Sequence, residues 1–114
     1  MALAMFGVMI PGALDASLPY ASAADGDVKS TVEINDSTTN GPTLANSDQF
    51  GISIANIGDL DGDGVNDLAV GARLDNDGGA NRGAVHIIFM NTDGSVDSTV
   101  EINSSTTNGP TLTN

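Results

Sequence analysis

A chain of 114 residues with 15 acidic and three basic side chains carries a net charge of −12. This excludes nucleic acid as a partner, because only Lys29, Arg73 and Arg82 could meet phosphates, and it disfavours anionic membrane surfaces equally. Cysteine and tryptophan are absent, so there is no disulfide framework and no thiolate metal site, and a core this poor in large side chains is thin for a small domain.

Residues 1–24 differ in kind from the rest. Ala2 to Leu14 is almost wholly apolar, and Ala21-Ser22-Ala23 offers small residues before Ala24-Asp25, so the segment reads as a signal peptide. The opposing features are the absence of Lys or Arg before the apolar run and the helix-breaking Pro11-Gly12. An apolar strand or helix of the domain itself is the competing reading. Thirteen residues do not reach across a bilayer of about 30 Å as a helix, and no transmembrane segment is expected.

From Asp25 the chain repeats itself. Asp25 to Asn46 recurs as Asp93 to Asn114, with 18 of 22 positions identical at an offset of 68. A fixed period of this size marks a repeat architecture in which each unit stacks on its neighbours. In residues 25–48, Val28, Ser30, Val32 and Ile34 alternate with Lys29, Thr31 and Glu33, which predicts a half-exposed outer strand of a preceding repeat. A polar connection turning at Asn40-Gly41-Pro42 follows. Ser37-Thr38-Thr39 and its copy Ser104 to Thr107 read as solvated loops. Asn35 and Asn103 each open an Asn-x-Ser glycosylation acceptor sequence.

Residues 49–103 form the next unit. Phe50, Ile52 and Ile54 alternate with smaller residues and predict a strand, after which Asp59-Leu60-Asp61-Gly62-Asp63-Gly64-Val65-Asn66-Asp67 places four carboxylates in nine residues. Such crowding calls for a hard divalent cation, and calcium accepts irregular sets of carboxylate and carbonyl oxygens. The expected ligands are the side chains of Asp59, Asp61, Asp63 and Asp67 and the backbone carbonyl of Val65, with Gly64 making the turn. An EF-hand would need glutamate at the twelfth position, which is Val70, and a helix beyond it. Leu68 to Ala72 reads instead as a buried strand. Asp and Gly are also ordinary turn formers, so a solvated acidic turn is the competing reading.

Leu74 to Arg82 is a turn-rich connection in which Asp75 and Asp77 form a weaker candidate cation pair beside Arg82. Gly83 to Met90, the most hydrophobic run, predicts a central strand. His86 within it, the sole histidine, reads as a packed or hydrogen-bonded residue rather than a catalyst. Asp93-Gly94 predicts a two-residue hairpin turn, and Val96, Ser98, Val100 and Ile102 alternate with outward Asp97, Thr99 and Glu101. Residues 104–114 begin the connection to a further repeat. The predicted fold is all-β: antiparallel four-stranded β-propeller blades in an incomplete ring behind an N-terminal leader.

With these residues in place, the chain resembles the FG-GAP repeat, the blade unit of integrin α-subunit propellers and of many secreted microbial proteins. Phe50-Gly51 is similar to the FG element, Gly58 to Asp67 to the family's calcium loop, and Gly71-Ala72 to the start of GAP, with Arg73 where the family usually has proline. The resemblance implies bound calcium that stiffens the ring while ligands bind elsewhere. It also implies further blades of the same chain, an extracellular protein or glycan as partner, a secreted or cell-surface location, and no catalysis. The alternative is a non-catalytic accessory module of a larger secreted enzyme.

Overall fold

The computed structural model describes residues 26–114. The leader reading of residues 1–24 lies outside them. The chain divides into two compact units. The described part of the first, residues 26–31, carries a turn at Gly26 and no regular structure. The second, Val32–Asn114, contains the four described strands: β1 (Phe50–Gly58), β2 (Asp67–Ala72), β3 (Ala84–Met90) and β4 (Val96–Ile102).

These strands form one antiparallel sheet in sequence order, β1-β2-β3-β4. β3 is flanked on both sides, as its hydrophobic and β-branched composition requires. The register lines up two rungs of opposite character. Ile54, Val70, His86 and Glu101 face one side, while Ser53, Gly71, Val85 and Ile102 face the other. The first side holds the core: Val70, Ile88 and Val96 are buried, with Ile34, Phe50, Leu68 and Met90 packed against them. The second side is open. Ile52, Val85 and Val100 are all exposed, and a groove of about 560 Å³ runs between Ile52, Val85, Ile102 and Leu112.

Three sequence expectations change. Residues 28–34 carry no strand, although their near-copy is β4. A strand is held by a neighbour's ladder, and this segment has no place in the four-stranded ladder, whereas β4 has β3 beside it. The turn between β3 and β4 is longer than two residues: the Asn91 amide donates to the Ser95 carbonyl (2.9 Å) and Gly94 sits at φ 86°. This is the three-residue hairpin that closes on a left-handed glycine. Finally, the register shifts between Phe89 and Met90. That irregularity puts Val96 and Thr99 on the same face, so the parity of β4 inverts beyond it. Glu101 therefore points inward, across from His86, and Val100 points to the open side.

The polar tracts are ordered as well. In both copies the Asn side chain caps a turn: Asn35 Oδ1 accepts from the Ser37 amide (2.8 Å) and Asn103 Oδ1 from the Ser105 amide (2.7 Å). Thr38 and Thr106 hydroxyls accept from the Asn35 and Asn103 amides, and Asn40 and Asn108 share a left-handed φ of about 60°. One sequence has written the same turn twice, with local side-chain bonds replacing a ladder. Asn103 is 6% exposed, which leaves it a poor glycosylation acceptor in this fold.

Candidate metal centre: the acidic loop between the first two strands

Residues 59–66 connect β1 to β2, and their conformation follows from their own carboxylates. Asp59 accepts three amides: Oδ1 from Gly62 (2.7 Å) and Asp63 (3.0 Å), and Oδ2 from Gly64 (2.8 Å). Asp61 Oδ1 accepts from the Asp63 amide and Asp63 Oδ1 from the Val65 amide. Gly62 and Gly64 occupy the left-handed region at φ 83° and 91°, where a Cβ would meet the following carbonyl. The loop thus wraps round Asp59.

Asp67 anchors this wrap to the sheet. It is the first residue of β2 and fully buried. Its Oδ2 accepts from the Leu60 amide (2.8 Å) and its Oδ1 from the Met90 amide at the end of β3 (3.1 Å). One carboxylate therefore ties the start of the loop to the central strand.

Of the five sequence-predicted ligands, the fold gathers three. Carboxylate oxygens of Asp59, Asp61 and Asp67 lie within 4.8 Å of one another, a spacing compatible with shared ligation of an ion whose bonds are about 2.3–2.6 Å. Asp63 lies outside that group of three, with one oxygen turned to the Val65 amide. Val65 is half-buried at the inner edge of the loop. The electrostatics differ residue by residue. The Gly64 amide, aided by those of Gly62 and Asp63, holds Asp59 below the usual carboxylate range. Lost hydration pushes Asp61 up, and the Asp63 and Asp67 carboxylates add to the rise against the pull of the Asp63 amide. A carboxylate disfavoured as an anion by its acidic neighbours is relieved by a bound cation.

A second group of side chains able to hold a metal, Asp75, His86 and Glu101, forms where the sequence suggests an Asp75–Asp77 pair. Asp75 turns instead to His86, with Oδ2 at 3.3 Å from Nε2, and Glu101 Oε2 lies at 3.8 Å from the same nitrogen. His86 is packed, as expected, with its ring edge-on to Phe50 at 5.5 Å. Glu101 was missed because simple alternation along β4 turns it outward; only the bulge after Phe89 reveals its side.

The described strands form an antiparallel four-stranded sheet with an acidic loop between its first two strands. Residues 50–88 match the FG-GAP repeat, a span running from the start of β1 into β3. The sheet is accordingly a β-propeller blade. A stretch of 50 residues is 56% identical to integrin alpha-5 of Xenopus laevis, covering 44% of this chain and 4% of that protein. No solved structure matched the chain.

Proposed function

We propose that this chain is a calcium-stabilised segment of an extracellular β-propeller that serves adhesion or the binding of a protein or glycan. The observation that carries the reading is the convergence of Asp59, Asp61 and Asp67 in a loop that opens directly onto the sheet. Calcium held there by Asp59, Asp61, Asp63, Asp67 and the Val65 carbonyl offsets the repulsion of the carboxylates and fixes the β1–β2 connection. The similarity to integrin alpha-5 supports a secreted or cell-surface location. The open face, with Ile52, Val85 and Val100 exposed, suits packing against further blades of the same chain, since apolar surface of this kind is covered by a neighbour in stacked repeats. Among the described residues no helix is long and apolar enough to cross a membrane.

Calcium should raise the thermal midpoint of the chain relative to chelated buffer, with affinity in the range of about 10⁻⁴–10⁻³ M found for extracellular modules. Asp61→Ala should remove that response. An unchanged midpoint on adding calcium, or a full response in the variant, would leave the loop a solvated acidic turn.

A further inference from the structure

Apart from the acidic loop, one place on the described chain brings a histidine and two carboxylates to a single point. His86 and Asp75 are each 1% exposed, and the half-buried Glu101 lies beside them. Three separate elements build this point. His86 comes from β3, Glu101 from the same rung on β4, and Asp75 from the β2–β3 connection, which folds back so that the Asp75 carbonyl accepts from the Gly83 amide (2.9 Å).

The hydrogen bonding of the cluster is incomplete. The single Nε2 of His86 faces both carboxylates, yet one N–H serves one acceptor well. Glu101 Oε2 is buried and has no hydrogen-bond partner. Asp75 Oδ1 is used by the Asp77 amide (2.8 Å), which leaves Oδ2 turned inward. Burial and then the neighbouring Asp75 push Glu101 up to about 7, the mark of two carboxyl groups crowded without a full counter-charge. A buried acceptor without a partner costs about 1–3 kcal/mol, so something is expected to occupy the gap.

We propose that Asp75 Oδ2, His86 Nε2 and Glu101 Oε2 are the ligands of a second metal site, selective for a divalent ion of the zinc class rather than calcium. The spacing carries the assignment. Ligands on a tetrahedral ion with bonds of about 2.0–2.1 Å stand about 3.3–3.4 Å apart, and the Nε2 separations here are 3.3 and 3.8 Å. The donor set carries the selectivity: one imidazole with two carboxylates suits a borderline ion, whereas calcium takes oxygen almost alone. Water completes the coordination sphere. The competing occupant of the gap is a proton shared between Asp75 and Glu101.

The test uses the full chain in calcium well above the dissociation constant proposed for the acidic loop, and zinc chloride as the probe. Because His86 is the sole histidine, the ring nitrogen resonances report its ligation without any substitution. The expected result is a shift of the Nε2 resonance that saturates at one equivalent of zinc. In Asp75→Asn and Glu101→Gln, which keep side-chain shape, the affinity should fall by about tenfold or more. His86 resonances that stay unmoved by zinc would overturn the site and leave the shared proton in its place. So would a zinc response of equal affinity in both variants.

Discussion

Asp67→Ala is the substitution that most directly tests how the acidic loop is built into the blade. The wild-type carboxylate is fully buried and accepts from the amides of Leu60 and Met90. Hydrogen bonds to a charged group contribute about 1.5–3 kcal/mol each, which sets an upper range of about 3–6 kcal/mol. Two terms reduce it. Leu60 is 60% exposed, so water can replace its lost acceptor, and removing a buried charge recovers part of its desolvation cost. A loss of about 2–4 kcal/mol remains, a large share of the stability of a small domain. Asp67→Asn should fall between, because its carbonyl keeps one acceptor while its amide group faces a donor. Urea unfolding in chelated buffer gives the stability difference, and amide hydrogen exchange gives its location, with the Met90 amide accelerated more than those of the β3–β4 ladder. A cost below about 1 kcal/mol, or an unchanged Met90 amide, would refute the anchoring role.

Three further outcomes follow from other parts of the sheet. Gly83→Ala should destabilise by about 1–3 kcal/mol in the same urea assay, since φ is 79° and a Cβ would stand 2.9 Å from the Arg73 carbonyl oxygen. Ile88→Ala, at the fully buried centre of the core, should cost about 2–5 kcal/mol and lower the urea midpoint without altering the calcium-induced increment in stability. The third concerns pH with divalent ions chelated. Glu101 is raised from 4.5 to about 7 in the fold, so the native state binds its proton more tightly than the unfolded chain. Its contribution is full below about pH 4.5 and is lost as pH rises through about 7. The urea midpoint should decline over that window in the wild type, and Glu101→Gln should flatten the decline; an unchanged slope would show that Glu101 titrates as a free side chain.

Much of the fold was legible because its signals are local. The apolar run Ala84 to Met90 identified the central strand, the alternation of Phe50, Ile52 and Ile54 identified the first, and the glycine-bounded run before Arg73 identified the second. What failed was information carried by a partner. Val28 to Ile34 has almost the sequence of β4 and no strand, because a ladder is a property of two segments and pattern describes one. The polar tracts failed differently. Ser, Thr and Asn look solvated by composition, but their side chains bond their own backbone, and the repeated Asn35–Thr38 and Asn103–Thr106 turns show this to be a local rule of the sequence.

The two candidate metal centres differ in legibility for the same physical reason. All the acidic-loop residues fall within nine positions, so spacing alone suggests their proximity, and the fold groups Asp59, Asp61 and Asp67. The second cluster draws Asp75, His86 and Glu101 from three elements, and its assembly depends on a bulge that reverses the parity of β4. No periodicity carries that. The centres also adjoin one strand, with Asp67 at the start of β2 and His86 on the rung of Val70. Asp67 bonds Met90 on β3, four residues from His86, so at about 3.3 Å per residue the centres stand about 13 Å apart, and sites at that separation with no shared partner respond additively. Combining Asp61→Ala with Glu101→Gln should therefore give the sum of the single effects on calcium-dependent and pH-dependent stability. Coupling between them would mean that β2 transmits strain from one centre to the other.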